Sequence, residues 1–279
     1  MPSMKSTKTI AFQGRPGAYS EQAIQEFFPE ATPLACDHFE DILQAVAIEA
    51  ADYAMLPVEN TLGGTVIPAC QALFASELAP IREYVLPIHH LLIAPPGVGT
   101  IKIALSHPQA LAQCQNYLKQ HHIQAESFYD TAGAAEALAK APRQNTAAIA
   151  SRAAAAHYGL DILDTKIEDE AFNQTRFLLI GKMPQVFEKS ATYKTSLRFT
   201  LANTPNSLAK VLHLFGSAGL NLSKIESHPT RKAAWEYSFF LDVMAHTQDL
   251  EPLLPNLRLL THELQCLNSY LSSSQSLAK

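Results

Sequence analysis

The sequence predicts an α/β protein in two parts: a first part made of two strand–helix lobes, then a smaller βαββαβ domain. Two observations predict the first part. Over roughly the first 180 residues, short apolar runs alternate with helical patterns, which is the order of open sheets with right-handed crossovers. That alternation passes through two cycles divided near Pro87, so two lobes are expected rather than one sheet. A third observation predicts the second part: a charged stretch from Gly181 to Thr195, containing Pro184, reads as a linker beyond which the pattern changes. A length of 279 residues is comfortable for such a division.

Thr9–Phe12 reads as a strand that ends in the turn Gly14-Arg15-Pro16-Gly17 and leads into a helix through Phe28. Asp37 is placed to cap a helix from Phe39 to Ala47, with Glu40 completing a capping box. Tyr53–Val58 reads as a buried strand stopping at Glu59-Asn60, and Ile81–Ala94 as an extended run broken by Pro87. The second lobe, about residues 88–165, gives strand Ile103–Ser106, helix Pro108–Lys119, strand Gln124–Phe128, helix Thr131–Ala139, strand Thr146–Ala150 and helix Arg152–Tyr158. Thr175–Ile180 would then return to the first lobe, closing a domain over 8–184. A second domain over 195–272 reads as strand Ser196–Leu201, helix Ser207–Ser217, strands Leu222–Glu226 and Ala234–Val243, helix Leu250–Leu260 and strand Leu264–Leu271. That order is the ferredoxin-like topology, with Pro255 badly placed inside its last helix.

Composition excludes several classes. Apolar residues make up 47% and charged residues 17%, the balance of a chain with a proper core. No window reaches the ~18 unbroken apolar residues of a membrane span, and Thr9–Phe12 is too short for a signal-peptide core, so a cytoplasmic protein is expected. A net charge of −5 without a Lys/Arg cluster argues against nucleic acid. Cys36, Cys70, Cys114 and Cys266 form no C-x-x-C pair, and the eleven histidines show no metal-ligand spacing. No metal and no cofactor are expected.

In open α/β sheets, ligands bind beyond the carboxyl ends of the strands. The loop Gly14–Ser20 joins such an end to a helix, so the backbone around Gly17, Ala18, Tyr19 and Ser20 is either a carboxylate cradle or a plain tight turn. Pro57–Thr65 runs a strand into Glu59, Asn60, Thr61 and two glycines. Ser106-His107-Pro108-Gln109 repeats the design in the second lobe, with Gln113 one turn further on, and Asn173-Gln174-Thr175-Arg176-Phe177 is the third junction.

The segments G-R-P-G-A-Y-S, P-V-E-N-T-L-G-G, S-H-P-Q-A-L-A-Q-C and N-Q-T-R-F, in this order over about 165 residues, resemble the catalytic domain of prephenate dehydratases. T-P-N-S-L from Thr204 and E-S-H-P from Glu226 resemble the ACT domain fused to them. The resemblance implies two lobes about a cleft, in the architecture of type II periplasmic binding proteins. It also implies a homodimer or homotetramer, and phenylalanine as effector. With about eight residues before the first strand, a monofunctional enzyme is expected.

The family reaction converts prephenate to phenylpyruvate with loss of the ring hydroxyl and CO₂. Aromatisation drives it, so the protein must assist the leaving oxygen and hold the substrate still. The resemblance gives the donor role to Thr175. Arg176 would clamp the pyruvyl carboxylate with its planar fork, and Asn60 and Gln113 would donate to substrate oxygens with Ser106 nearby. Phe177 is expected to contact substrate and Thr131 to bind it in a minor role. Glu59 is either a proton relay or a brace for Arg176, and His107 either a proton shuttle or a helix-start residue.

In the ACT domain the resemblance places effector binding at Asn203, Pro205, Asn206, Ser207 and Leu208, facing Glu226, Ser227 and His228. The family commonly has glycine-alanine at Asn206-Ser207 and arginine at His228, so side chains crowd a backbone approach that glycine allows. Trp235, the single tryptophan, is expected to report on that site. Two other readings stay open: an arogenate dehydratase of the same family, which takes an amine in place of the ketone, and a non-catalytic amino-acid or solute sensor.

Overall fold

The computed structural model describes residues 7–184, 187–188, 190–230 and 236–273. The chain divides into two compact units, Met1–Ala69 with Val85–Phe177, and Cys70–Tyr84 with Leu178–Lys279.

In chain order the first elements are β1 (Thr9–Gln13), α1 (Tyr19–Phe27), β2 (Thr32–Cys36), α2 (Phe39–Ala47), β3 (Tyr53–Asn60), β4 (Gly64–Thr65), α3 (Ile67–Ala75) and β5 (Ala79–Pro87). There follow β6 (Leu91–Ala94), β7 (Ile103–Ser106), α4 (Pro108–Ala112), α5 (Gln115–Gln120), β8 (Gln124–Ser127), α6 (Thr131–Lys140), β9 (Thr146–Ala150), α7 (Arg152–Tyr158), β10 (Asp161–Thr165) and β11 (Gln174–Gly181). The unit division falls inside α3, β5 and β11.

Within the first unit, one sheet runs β2–β1–β3–β11. β1 pairs in parallel with β2 and β3, Ile10 opposite both Pro33 and Tyr53. β2 carries Pro33 and lies at the end of the order, where a missing N–H costs no ladder bond. The second lobe is a five-stranded sheet, β10–β6–β9–β7–β8, with β8, β7 and β9 parallel and β6 antiparallel to β9. Its inner strands β6, β9 and β7 are buried on both faces. Leu91, Ile93, Leu105, Ala148 and Ala150 face α6 and α7; their neighbours Leu92, Ala94, Ala104, Ala147 and Ile149 face α4 and α5. This is the period of two expected of a strand, and it explains why these segments read as unbroken apolar runs.

Two local expectations are corrected. The residue at the head of α2 is His38, not Asp37: Asp41 accepts from the His38 N–H at 3.0 Å. The helix expected over Pro108–Lys119 is broken at Gln113-Cys114. Asp169 intervenes there: its N–H donates to the Gln113 carbonyl (2.7 Å) and its carboxylate accepts from the Asn116 N–H (3.0 Å). Cys114, at φ −121° and ψ 20°, leaves the helical conformation there.

The second unit continues with β12 (Tyr193–Thr200), α8 (Ser207–Ser217), β13 (Leu222–Pro229), β14 (Tyr237–Val243), α9 (Thr247–Leu250), α10 (Leu254–Leu260), β15 (His262–Cys266) and β16 (Tyr270–Leu271). The sheet order β13–β14–β12–β15 is antiparallel throughout. With α8 after the first strand and α9–α10 before the last, it is the βαββαβ arrangement. Pro255 sits in the first turn of α10, where its absent N–H is no loss; the expected single helix Leu250–Leu260 is therefore two. Leu197, Phe199, Val211, Phe215, Leu241 and Leu257 form its core. Inside this unit Lys194 Nζ reaches both Glu83 oxygens, at 2.8 and 3.0 Å. Trp235 lies outside the described residues.

Candidate active site

Parallel strands gather helix starts at one end of each lobe, and a cavity of about 240 Å³ lies there in the first unit. Tyr19 opens α1, Asn60 ends β3, and Asn173 and Thr175 lie at the start of β11. From the second lobe come His107, Gln109 and Gln113 around α4, and Asp130 and Thr131 at the start of α6. Ile88, His90, Val66 and Ala110 complete the wall.

Asn60 organises the wall. Its Oδ1 accepts from the N–H groups of Leu62 (3.0 Å) and Gly63 (2.7 Å), which fixes the turn after β3. Its Nδ2 donates towards Asn173 Oδ1 (2.8 Å), the Gln174 carbonyl (3.0 Å) and Thr175 Oγ1 (3.0 Å). Asn60 therefore has no donor left for substrate. Thr175 Oγ1 is an acceptor in this contact, which leaves its own hydrogen to be given to a ligand. Gly63 belongs to the same construction: a Cβ there would sit 2.1 Å from Gln109 Nε2.

The network continues through neutral groups. Asn173, 1% exposed, donates from Nδ2 to Gln113 Oε1 at 3.0 Å. His90 Nε2 reaches the same oxygen at 2.8 Å, and the Tyr19 hydroxyl meets His90 Nδ1 at 2.6 Å. One tautomer satisfies both contacts, with the proton on Nε2 and Nδ1 accepting from Tyr19. Burial pushes the His90 pKa down, against the opposing pull of Gln113 and Glu168, and pushes the Tyr19 phenol well up. Both groups are neutral at pH 7. Gln113 thus spends its carbonyl on the network and has its NH₂ free for the cavity. His107 accepts from the Gln109 N–H through Nδ1 at 3.2 Å: it is the helix-start residue, with Nε2 left over at the cavity wall.

Several expected contacts are corrected. Arg176 does not line the cavity. Its Nε and a terminal nitrogen both meet Glu59 Oε2 at 2.9 Å, and its side chain is 12% exposed. The reason is strand alternation: Asn60 and Thr175 share one face, and Glu59 and Arg176, each one residue away, share the other. Glu59 is accordingly the brace of Arg176. Ser106 is fully buried and donates to the Ile149 carbonyl at 2.6 Å, tying β7 to β9. Phe177 is a core residue, 1% exposed, and Ser20 is buried off the cavity. Thr61 clips two backbones together, donating to the Phe172 carbonyl (3.0 Å) and accepting from the Gln174 N–H (2.9 Å).

The Gly14–Ser20 loop is less open than a carboxylate cradle requires. Gly17 N–H donates to Glu21 Oε2 and Ala18 N–H to the Arg15 carbonyl. The Gly17 carbonyl accepts from Ser151, and that of Pro16 from Tyr158. The loop is a clasp to α7, and Tyr19 is its member in the cavity wall.

In the second unit, Asn206 caps α8 with φ +72°, a conformation natural to glycine and tolerated by asparagine. Thr204 and Ser207 hydroxyls meet at 2.7 Å. Glu226, Ser227 and His228 lie on the edge strand β13, where His228 Nε2 meets Glu226 Oε1 at 3.1 Å.

Asn173, His90, Gln109 and Asp130 were not singled out from sequence. Asn173 had a signal, since it lies two residues before Thr175 and shares its face; Asp130 had the signal of an N-cap before an apolar helix.

A two-lobed α/β unit with an amide-lined cavity, in one chain with a βαββαβ unit, defines an enzyme-and-sensor class of chain. The comparisons make the class specific. The family model for prephenate dehydratase matches residues 10–185 and that for the ACT domain matches 195–253. The chain belongs to the prephenate dehydratase family.

Among its relatives is arogenate dehydratase/prephenate dehydratase 1, chloroplastic, of Arabidopsis thaliana, 40% identical over 86% of this chain and 65% of that protein. Another is arogenate dehydratase 1 of Petunia hybrida, 38% identical over 96% of this chain and 68% of that one. The chain thus spans about two thirds of the length of these relatives. The prephenate dehydratase of Arthrobacter aurescens, solved with L-Phe, superposes with a TM-score of 0.84 at 31% identity, covering 94% of this chain and 89% of that one. A structure described as GqqA, a novel type of quorum quenching acylase, superposes with a TM-score of 0.86 at 32% identity, covering 96% and 100%.

Proposed function

We propose that the chain is a prephenate dehydratase, converting prephenate to phenylpyruvate, CO₂ and water, with phenylalanine as effector of its ACT domain. One observation carries the reading: Thr175 lines the cavity with its oxygen occupied by Asn60 at 3.0 Å and its hydrogen uncommitted.

In the reaction, the electron pair of the ring-to-carboxylate bond enters the ring as CO₂ departs. The ring C–O bond breaks on the far side, and the hydroxide leaves as water once protonated. Thr175 donates a hydrogen bond to that oxygen as charge develops on it. A threonine hydroxyl is too weak an acid to surrender its proton outright, and the amides of Asn60, Asn173 and Gln113 do not conduct one. Their part is orientation. His107 Nε2, at the cavity wall, is placed to relay the proton. Gln113 Nε2, Gln109 and Thr131 are the neutral donors available to substrate oxygens.

The acyl hydrolysis in GqqA's name calls for an activated nucleophile. Among the described cavity residues, no hydroxyl or thiol is hydrogen-bonded to a histidine or carboxylate except the Tyr19 phenol, which burial keeps protonated. The geometry favours dehydration.

A homodimer or homotetramer acting in the cytoplasm completes the reading. Four free cysteines suit a reducing compartment, and an effector loop at Asn203–Leu208 facing Glu226–His228 of a second copy suits an oligomer.

The test is phenylpyruvate release from prephenate by Thr175→Ala and Thr175→Ser. The alanine variant should lose about 10²–10⁴-fold in kcat, and the serine variant should retain much of it. An alanine variant that keeps most of its turnover refutes the reading.

A further inference from the structure

Of the residues lining the cavity, Asp130 is the one acid, and none is Lys or Arg. Its carboxylate is held in place. Asp130 caps α6, its Oδ1 accepting from the Gly133 N–H, which fixes the side chain in the capping geometry. Oδ2 has no partner among the described residues. Beside it, the Thr131 hydroxyl is likewise uncommitted and also lines the cavity.

A fixed acid in a space of about 240 Å³ discriminates by charge. A substrate with two carboxylates and a keto group brings only negative charge to Asp130, and no Lys or Arg in the wall offsets it. The same skeleton with an ammonium in place of the ketone brings a cation with three donors, which Asp130 Oδ2 and Thr131 Oγ1 can accept.

We propose that Asp130 is the specificity-determining residue of this cavity, receiving the ammonium group of arogenate and so setting the balance between the amino and keto substrates. This rests on the dehydratase reading above. Thr131 is the second acceptor.

The experiment compares kcat/KM for arogenate and prephenate in the wild-type full chain, Asp130→Asn and Asp130→Ser. Both replacements are good N-caps, so α6 keeps its start, and melting curves check folding. A charge-assisted hydrogen bond corresponds to about 10- to 100-fold in affinity. Asp130→Asn should therefore lower kcat/KM for arogenate by about 10- to 100-fold, mostly through KM, and raise it for prephenate as the like charge is removed. Asp130→Ser should shift the ratio the same way. A ratio unchanged within about threefold in both folded variants overturns the proposal and leaves the dehydratase reading standing. A wild-type chain that converts neither substrate overturns both.

Discussion

Replacing Asn60 separates a residue that positions the donor from one that touches substrate. Asn60→Ala removes five contacts of unequal worth. The Leu62 and Gly63 N–H groups are exposed, so water takes over and little is lost. Nδ2 has two hydrogens for three half-buried acceptors, hence at most two good bonds, worth ~0.5–1.5 kcal/mol each. The stability cost is about 1–3 kcal/mol. The catalytic cost comes through Thr175: freed to sample its three staggered rotamers, it presents the hydroxyl correctly about a third of the time and loses its fixed partner as well. A fall in kcat of about tenfold follows, below the ~10²–10⁴ of losing the donor entirely. Asn60→Asp is the sharper variant. It is isosteric, yet it sets a carboxylate against Asn173 Oδ1, the Gln174 carbonyl and Thr175 Oγ1, and Thr175 then turns its hydrogen to the new acid and away from substrate. Asn60→Asp should be slower than Asn60→Ala, and Asn60→Ala in a Thr175→Ala background should cost almost nothing further in kcat. Steady-state kinetics on the four proteins decide it. Additive losses, or an Asn60→Asp enzyme within threefold of wild type, would refute the reasoning.

His90 gives a pH prediction. Burial holds its folded pKa below the ordinary value of 6.5, so between the two the unfolded chain binds more protons; the stability is full above about pH 6.5 and is lost as pH falls through the folded value. His90→Gln, whose amide can still donate to Gln113, removes this dependence. The melting-temperature gap between wild type and variant should narrow from pH 7 to pH 5, and parallel curves would count against it. Gly17 has φ +89°, and a Cβ there would lie 2.6 Å from Ala154 Cα, a backbone atom that cannot step aside. Gly17→Ala should cost about 2–5 kcal/mol from the left-handed backbone and the overlap together, read as a lower unfolding midpoint; an unchanged midpoint would mean the clasp to α7 is dispensable.

The parts of the fold legible in the sequence were those whose burial leaves a period. β7, β9 and α7 match their expected bounds because apolar runs there end at polar caps. Besides the two-residue β4, three elements were missed for separable reasons. β2 contains Pro33, which reads as a breaker until the strand is known to be an edge. α3, Ile-Pro-Ala-Cys-Gln-Ala-Leu-Phe-Ala, is apolar on nearly every side and carries no stripe to detect. β10, Asp161–Thr165, is exposed along its length and so lacks a buried face to mark it. In the site, polar residues at strand ends were found, but their sides were not separated. Glu59-Asn60 and Thr175-Arg176 are each a pair of neighbours on a strand, so one member of each pair must face away from whatever the other faces. That rule, joined to the attraction of opposite charges, would have put Arg176 with Glu59 and Thr175 with Asn60. Gln113 was found as a helix residue, although its role depends on the helix ending there. Asp130 and His90 were harder. The first looks like any N-cap, and the second is one of eleven histidines, distinguished only by Tyr19 and Gln113 arriving from distant parts of the chain.

Apart from Asp130, the wall holds no acid, lysine or arginine, which suits the proposed dehydration. Forming an aromatic ring supplies the driving force, so a strong buried acid would add little and would cost several kcal/mol to desolvate. Orientation is what remains to be supplied, and amides supply it without that cost. Each offers both a donor and an acceptor, so Asn60, Asn173 and Gln113 lock one another end to end, and Tyr19 fixes the far end through the single tautomer of His90. In such a chain a reversed amide at any link would set acceptor against acceptor or donor against donor at the next. The arrangement has therefore one low-energy state, and in that state the Thr175 hydrogen and the Gln113 amide are the donors left over. An acid in this wall is an exception to its chemistry, which is why the charge of Asp130 bears on which substrate is chosen and that of Arg176, neutralised on the opposite face, does not.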